Sequence, residues 1–422
     1  MNYGVIGEHL PHSFSKIIHE KIESYSYIIR EVARDELDSF MREKDFQGIN
    51  VTIPYKEAVI PHLDFIDPMA KAIGAVNTVV NENGKLYGYN TDFKGMRALI
   101  SRIGLSLSGK KVLILGTGGT SKTAKALANA EGAASVYRIS YFESEDAISY
   151  KTAYECHADA DILINTTPCG MFPKIDTIAT DENGAELDLA RFPHLEGVVD
   201  VVYNPLRTRL VQEAEELKLP AQGGLYMLVA QAVFAAEYFT KKTYPASLID
   251  EIFNEIVAKK ENIVLIGMPA SGKTTVGKLL ADRTGRRLID TDEKIVALTG
   301  KDIPTIFREE GESAFRDYES RVIASLATEE NLIIATGGGA ILKAENCRKL
   351  KHNGSLYFLD RPLDALIPTA DRPTASSREA ITARYHERYL IYTAVCDHRI
   401  DASAMTPDEV ASAILIHHER KD

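Results

Sequence analysis

Short apolar runs alternate with amphipathic stretches along the whole chain, the pattern of strands joined by crossover helices in mainly parallel sheets. Two of these runs end in glycine-rich loops. Residues 112–115 lead into Gly116-Thr117-Gly118-Gly119, and residues 263–266 lead into Gly267-Met268-Pro269-Ala270-Ser271-Gly272-Lys273-Thr274. Each reads as a strand, a phosphate loop and a helix start. Because one sheet rarely needs two such loops, two separate nucleotide-binding units are expected. Between them, residues 244–260 read as an amphipathic helix with Leu248, Ile252, Ile256 and Val257 at helical spacing. It is followed by the polar joint Lys259-Lys260-Glu261-Asn262, where the boundary is placed. A softer division near 106–109 splits the front half into two lobes. The expected organisation is a substrate lobe from 1–105 plus about 225–258, a nucleotide lobe at 106–224 and a third domain at 259–422.

Bulk properties narrow the function. A chain of 422 residues exceeds the usual size of one core, so two or three domains are expected. The formal net charge of −11 argues against a nucleic-acid or anionic-membrane partner, which would need clustered Lys and Arg, yet it leaves small anionic substrates open. Cys156, Cys169, Cys347 and Cys396 show neither paired nor metal-ligand spacing. No apolar run reaches eighteen residues and no basic leader opens the chain, so a cytoplasmic protein is expected.

The rear loop matches GxxxxGK[ST] in full. Its chemistry requires those residue types. Backbone N–H groups freed by Gly267 and Gly272, with Ser271 beside them, cradle phosphates. Lys273 brings a cation to the outer phosphates, and the Thr274 hydroxyl can ligate magnesium. Beyond it come Asp290-Thr291-Asp292, Phe315-Arg316, Thr336-Gly337-Gly338-Gly339, Asp371-Arg372-Pro373 and Arg388-Tyr389. In that order these elements resemble shikimate kinase, a phosphate-loop protein of the nucleoside monophosphate kinase-like fold. The resemblance implies ATP held by 267–275, Thr275 included, and magnesium held by Thr274 and Asp290. It further implies catalysis by Lys273 and Asp292 with Arg372 on a lid, and shikimate gripped by Asp292, Arg316, Gly338, Gly339 and Arg388. Two arginines suit a carboxylate because each offers a charged fork, although an arginine on a helix is often only a solvated surface group. The stretch before Arg372 carries Ile367-Pro368 where relatives often have a further arginine.

In the front half, Ser13 and Ser15 are two apart, as are Asn50 and Thr52, so in extended backbone each pair projects to one side and suits a polyhydroxylated ligand. Lys56, Asn77-Thr78, Asn90-Thr91-Asp92, Asn165-Thr166-Thr167-Pro168, Tyr203-Asn204-Pro205-Leu206 and 224–231 follow. Together they resemble shikimate dehydrogenase. The resemblance implies a two-lobed α/β dehydrogenase with a Rossmann-type NADP lobe, Lys56 and Asp92 as the catalytic pair, and 3-dehydroshikimate gripped by Ser13, Ser15, Thr52, Asn77, Asp92 and Gln231. A plainer reading of the same residues makes Lys56 a surface lysine and Asp92 a helix N-cap.

The loop Gly116-Thr117-Gly118-Gly119-Thr120-Ser121 is GxGGxS rather than GxGxxG, and gains its weight from the strand before it. Cofactor contacts are expected from Gly116, Gly118, Gly119, Thr120, Ser121, Ser140 and Thr166. An acidic residue after the second strand, 136–139, would favour a free ribose hydroxyl and an arginine the extra phosphate. This chain has Ser140-Tyr141 there, with Arg138 inside the strand, so NADP follows from the resemblance and NAD stays open. The product of the proposed front reaction is the substrate of the rear one, which favours shikimate over quinate chemistry and two active halves over one retained as a regulatory nucleotide-binding module.

Overall fold

The computed structural model describes residues 2–10, 14–367 and 377–419. By contacts the chain divides into two compact units, Met1–Asn204 with Thr208–Phe253, and Pro205–Arg207 with Asn254–Asp422. Among the described residues, no helix is long and apolar enough to cross a membrane.

The first unit holds two sheets. One contains β1 (Tyr3–Gly7), β2 (Tyr27–Glu31), β3 (Gly48–Val51), β4 (Phe65–Ile66), β5 (Thr78–Glu82) and β6 (Lys85–Tyr89), in the order β2-β1-β3-β5-β6-β4. β1 runs parallel to both neighbours, and β5 antiparallel to β3 and β6. The β5–β6 reversal uses Asn83 and Gly84, both at positive φ (52° and 83°), which a two-residue hairpin loop needs to match strand twist.

The other sheet contains β7 (Lys111–Leu115), β8 (Ser135–Ser140), β9 (Ile148–Ser149), β10 (Ile162–Asn165), β11 (Gly197–Asp200) and β12 (Ala221–Gln222), in the order β12-β11-β10-β7-β8-β9. Each recorded pairing in it is parallel. From β7 the chain moves outward through β8 and then returns to β7's other side as β10. The order therefore reverses at the carboxyl end of β7, where ligands of open α/β sheets bind. The first glycine loop lies at that point.

The helix Leu225–Thr240 is apolar on most of its surface and packs against the helix Thr91–Arg102. Gly95 permits the approach, since a Cβ there would lie 2.8 Å from the Met227 carbonyl oxygen and 3.0 Å from the Gln231 Cβ. That contact brings Gln231 beside Thr91 and Asp92. The helix expected over 244–260 spans Ser247–Lys260 and buries Ile249, Ile252, Ile256 and Val257. Ile249 rather than Leu248 is fully buried, since 249, 252 and 256 share one face at spacings of three and four while Leu248 lies at its margin. The division between units falls within this helix, at Phe253.

The second unit is built on β13 (Asn262–Ile266), β14 (Arg287–Asp290), β15 (Leu332–Ala335), β16 (Gly354–Asp360) and β17 (His398–Asp401), ordered β14-β15-β13-β16-β17 and parallel throughout. Central β13 is buried along its whole length. One face carries the core of Val264, Ile266, Phe315, Ile323, Leu356 and Phe358; the other carries Ile263, Leu265, Leu280, Leu359 and Ile414. The second glycine loop follows β13, so it too leaves the carboxyl edge of a central strand.

Candidate active sites

The first unit contains a cleft of about 510 Å³. Its polar lining includes Ser15, Asn50, Thr52, Lys56, Asn77, Asp92, Thr120, Thr166 and Gln231, alongside the backbone of Gly116–Gly119. Lys56 stands in the turn after β3, where its carbonyl oxygen accepts the Val76 N–H at 2.8 Å. Its Nζ donates to Asp92 Oδ2 at 2.6 Å. Both side chains are mostly buried, 20% and 11% exposed, which sets this pair apart from the exposed ion pairs of the surface.

Asp92 is not the helix cap. Asn90 fills that role, its Oδ1 accepting the Phe93 N–H at 3.2 Å while its Nδ2 donates to the Ala75 carbonyl at 3.0 Å. With the cap supplied two residues earlier, Asp92 lies in the first helical turn. There the macrodipole favours its negative charge and its carboxylate is directed at Lys56.

Beside the pair lies a buried polar network. Asn77 Oδ1 accepts the Thr91 N–H at 2.7 Å, and Asn77 Nδ2 donates to Thr91 Oγ1 at 3.1 Å and to Gln231 Oε1 at 3.5 Å. Gln231 Nε2 donates to the Leu228 carbonyl at 2.9 Å, so the two ends of its amide are fixed. Asn50 also faces the cleft. Tyr27 donates to its Oδ1 at 2.7 Å, and its Nδ2 donates to Thr78 Oγ1 at 3.1 Å. The Asn50–Thr52 alternation marked that face, whereas nothing local marks Tyr27, which reaches Asn50 from β2, across the intervening β1. Ser15 lines the cleft from the first residue of the helix Ser15–Ile22, not from the extended backbone its spacing implied. Ser13 lies outside the described residues.

The first glycine loop is shaped for close approach. Gly116 has φ +100°, and a Cβ there would lie 3.1 Å from Thr166 Oγ1; around Gly118 and Gly119 the space is open. Ser121 Oγ donates to the Gly116 carbonyl at 2.7 Å and Thr166 Oγ1 to the Leu115 carbonyl at 2.6 Å, so both hydroxyls brace the loop. The helix Gly119–Ala130 starts here without a side-chain cap, leaving its first N–H groups directed at the cleft. This open backbone fits a pyrophosphate. Ser140 closes β8, and Arg138 is buried with its Nε donating to the Asp146 carbonyl at 3.1 Å.

In the second unit, Lys273 opens the helix Lys273–Thr284 and is buried. Its Nζ donates to the carbonyls of Gly267 and Met268, both at 2.9 Å. The ammonium thus lies over the loop whose N–H groups would hold phosphates. Gly272, at φ +93°, has no atom within 4 Å of a Cβ placed there. Ser271 is buried within the loop, while Thr275 is exposed at the helix start. Thr274 Oγ1 donates to Asp290 Oδ2 at 2.9 Å, and Asp290 Oδ1 accepts the Asp292 N–H at 2.9 Å. A hydroxyl and a carboxylate in contact at the phosphate loop fit a hard cation that takes its remaining oxygen ligands from phosphate and water. Among the described residues, no group of three or more His, Cys, Asp or Glu side chains forms a metal site.

A second polar cluster is assembled around the triple glycine, Gly337–Gly339. Arg316 Nη1 donates to Glu319 Oε2 at 2.8 Å and Nη2 to Glu312 Oε1 at 2.9 Å. Its guanidinium covers Gly339 so closely that a Cβ there would overlap it. Arg388, 3% exposed, donates from Nη1 to the Gly338 carbonyl at 3.0 Å, and Tyr392 donates to the Gly267 and Gly338 carbonyls at 2.9 and 2.5 Å. A Cβ at Gly337 would lie 2.8 Å from both Asp292 Oδ1 and Glu319 Oε1. Burial pushes the Glu319 carboxyl up, while the Arg316 guanidinium opposes that rise. Sequence reading missed Glu319 and Tyr392, although Glu319 stands three residues after Arg316, within reach on one helix face. Arg372 lies outside the described residues.

Comparison with known proteins matches both halves. The family model described as the shikimate dehydrogenase substrate binding domain matches residues 5–79, and that described as shikimate kinase matches residues 269–419. The NADP(+) shikimate dehydrogenase of Clostridium beijerinckii is 36% identical over 251 residues, covering 56% of this chain and 90% of the relative. A crystal structure of shikimate dehydrogenase 1 from Peptoclostridium difficile aligns with a TM-score of 0.54 and 32% identity, over 61% of this chain and 98% of its own. That of a chorismate mutase/shikimate 5-dehydrogenase fusion protein from Clostridium acetobutylicum aligns with a TM-score of 0.55 and 31% identity, over 60% and 96%. The chain therefore belongs to the shikimate dehydrogenase family and carries a shikimate kinase domain behind it, joining two enzyme activities of the shikimate pathway.

Proposed function

We propose that the first unit reduces 3-dehydroshikimate to shikimate and that the second phosphorylates shikimate at its 3-hydroxyl with ATP. The observation that carries the first step is the Lys56–Asp92 pair, joined at 2.6 Å and facing the cleft beside an open glycine loop. NADP(H) is the proposed cofactor, following the names of the relatives, and supplies the hydride when bound in that cleft. As charge develops on the ketone oxygen, Lys56 stabilises it and delivers the proton, while Asp92 keeps the ammonium oriented. Ser15, Asn50, Thr52, Asn77 and Gln231 fix the ring hydroxyls and carboxylate, and Ser13 is proposed to join them. Gly116, Gly118, Gly119, Thr120 and Ser121 would hold the dinucleotide, with Ser140 and Thr166 at its edges.

In the kinase, residues 267–275 are proposed to hold ATP, which supplies the transferred phosphoryl group together with a magnesium ion. Thr274 and Asp290 would hold that ion. Lys273 would leave the Gly267 and Met268 carbonyls for the outer phosphates, and Asp292 would orient the attacking hydroxyl. Arg316 and Arg388 would take the carboxylate in charge-assisted forks, against a backbone brought close by Gly338 and Gly339. Arg372 is proposed to stabilise the transferring group. A reducing cytoplasm is the proposed compartment, in keeping with four free cysteines.

The test supplies 3-dehydroshikimate, ATP and magnesium with NADPH or NADH in turn and identifies products by mass. Shikimate 3-phosphate is the expected product. Shikimate alone would sink the kinase assignment, and unchanged dehydroshikimate with both cofactors would sink the dehydrogenase assignment.

A further inference from the structure

We propose that the adenosine end of the dehydrogenase cleft has no dedicated grip on a 2′-phosphate, so that NADH serves this enzyme with an efficiency within about tenfold of NADPH. The inference rests on the dehydrogenase reading above and concerns the region where a Rossmann-type unit tells the two cofactors apart, the end of its second strand. Here that strand is β8, ending at Ser140.

The two residues after it are Tyr141 and Phe142, 48% and 79% exposed, and neither brings a charge. The loop then runs through Glu143, Glu145 and Asp146, so residues 141–149 contain three acids and no Lys or Arg. The cations of β8 and of the helix Gly119–Ala130 already face carboxylates. Arg138 alone in β8 carries positive charge, but it is 8% exposed and both engaged arms end on Asp146. Nε donates to its carbonyl at 3.1 Å, and Nη2 stands 3.2 Å from its Oδ1. From the glycine-loop helix, Lys125 faces the same Asp146 Oδ1 at 3.8 Å, and Lys122 donates to Glu57 at 2.7 Å.

A phosphate monoester carries close to two negative charges at neutral pH. At this strand end it would compete with Asp146 for Arg138 and Lys125, and it would do so beside Glu143 and Glu145. A ribose hydroxyl meets no such competition, since Ser140 and Tyr141 offer neutral hydrogen-bonding groups. The acidic loop therefore cancels the advantage that the extra phosphate has where an arginine follows the strand.

The test is the ratio of kcat/KM for NADPH to that for NADH, measured with saturating 3-dehydroshikimate. A wild-type ratio below about ten supports the proposal; a ratio above about ten overturns it. Tyr141→Arg is expected to raise the ratio at least about tenfold, and Asp146→Asn, which frees Arg138 and Lys125, to raise it by a smaller factor. If neither substitution moves the ratio, these residues do not govern the choice and the proposal fails. If neither cofactor supports reduction of dehydroshikimate at all, the dehydrogenase reading itself has failed, a result distinct from any value of the ratio.

Discussion

The two glycine loops solve different problems with similar backbone. Each leaves the carboxyl end of a central parallel strand, uses a glycine at positive φ and opens a helix without a side-chain cap. The loop at 116–119 has no cation within it, whereas the loop at 267–274 contains Lys273, whose ammonium lies across the loop's own carbonyls. The contrast follows the fate of the phosphates. A pyrophosphate that is only held needs N–H groups and a helix N-terminus. A phosphoryl group that leaves needs positive charge that can follow the charge redistributed in transfer. In the first unit the cation facing the cleft stands outside the loop, at Lys56, and on the proposed reading it serves charge that develops on a ketone oxygen instead.

Separating the two lysines gives the largest expected effects. Lys273→Met should lower kinase kcat/KM by about a thousandfold or more, as expected for loss of a charge aimed at the transition state, and leave reduction of dehydroshikimate untouched. Lys56→Met should lower dehydrogenase kcat by about a hundred- to a thousandfold and leave phosphorylation of added shikimate intact. The two steps are assayed separately, by cofactor absorbance and by ADP release. A loss that crosses from one step to the other would break the division of labour between the lysines.

A buried carboxylate lies under each site, and the two are neutralised differently. Asp200, at the end of β11, accepts only neutral donors: the Thr208 hydroxyl at 2.6 Å, the Asn165 amide at 2.9 Å and the Val202 N–H at 3.0 Å. Glu319 has a guanidinium beside it. Burial raises Asp200 from an ordinary 3.8 to about 6. Between those values the native protein keeps a proton that the unfolded chain has released. Stability of the first unit should therefore be fullest below about pH 4 from this group and fall as pH rises to about 6, by up to about 3 kcal/mol. Asp200→Asn should flatten that part of the profile, read as the urea midpoint against pH. An unchanged slope would show that neutral donors suffice to keep Asp200 ionised.

What could be read without the fold follows the same local-versus-distant line. Both glycine loops were legible because strand, glycines and helix start are contiguous; Thr274 came with its loop, whereas Asp290 was reached only through the resemblance to shikimate kinase. Lys56 and Asp92 were legible as residues, yet 36 positions separate them, and only the fold shows that Asn90 takes the cap and leaves Asp92 for the lysine. Ser15 lines the cleft, but from the start of a helix and not from the extended backbone that its spacing implied. Tyr27, Tyr392 and Gly95 act across distances in sequence that no periodicity records: a hydroxyl behind Asn50, a hydroxyl on two loop carbonyls, and a gap that lets one helix carry Gln231 to another.

The smallest expected effect tests whether the kinase acceptor site is as tightly built as the dehydrogenase cleft. At Gly339 the backbone itself would tolerate a side chain, because φ is −110°. The obstacle is Arg316, whose guanidinium occupies the place of a Cβ. That obstacle is the far end of a flexible side chain, so Gly339→Ala should cost little stability: Arg316 swings aside and takes Glu312 or Glu319 with it. The proposed carboxylate fork is then misplaced while Lys273, Asp292 and the phosphate loop keep their positions. KM for shikimate should rise about tenfold, the loss of one well-aimed charged contact, with KM for ATP and the melting temperature nearly unchanged. A comparable rise in both KM values would mean that the triple glycine serves the nucleotide as much as the acceptor. A fall in melting temperature without a change in KM would mean that Arg316 is anchored by Glu319 for stability and not held ready for a ligand.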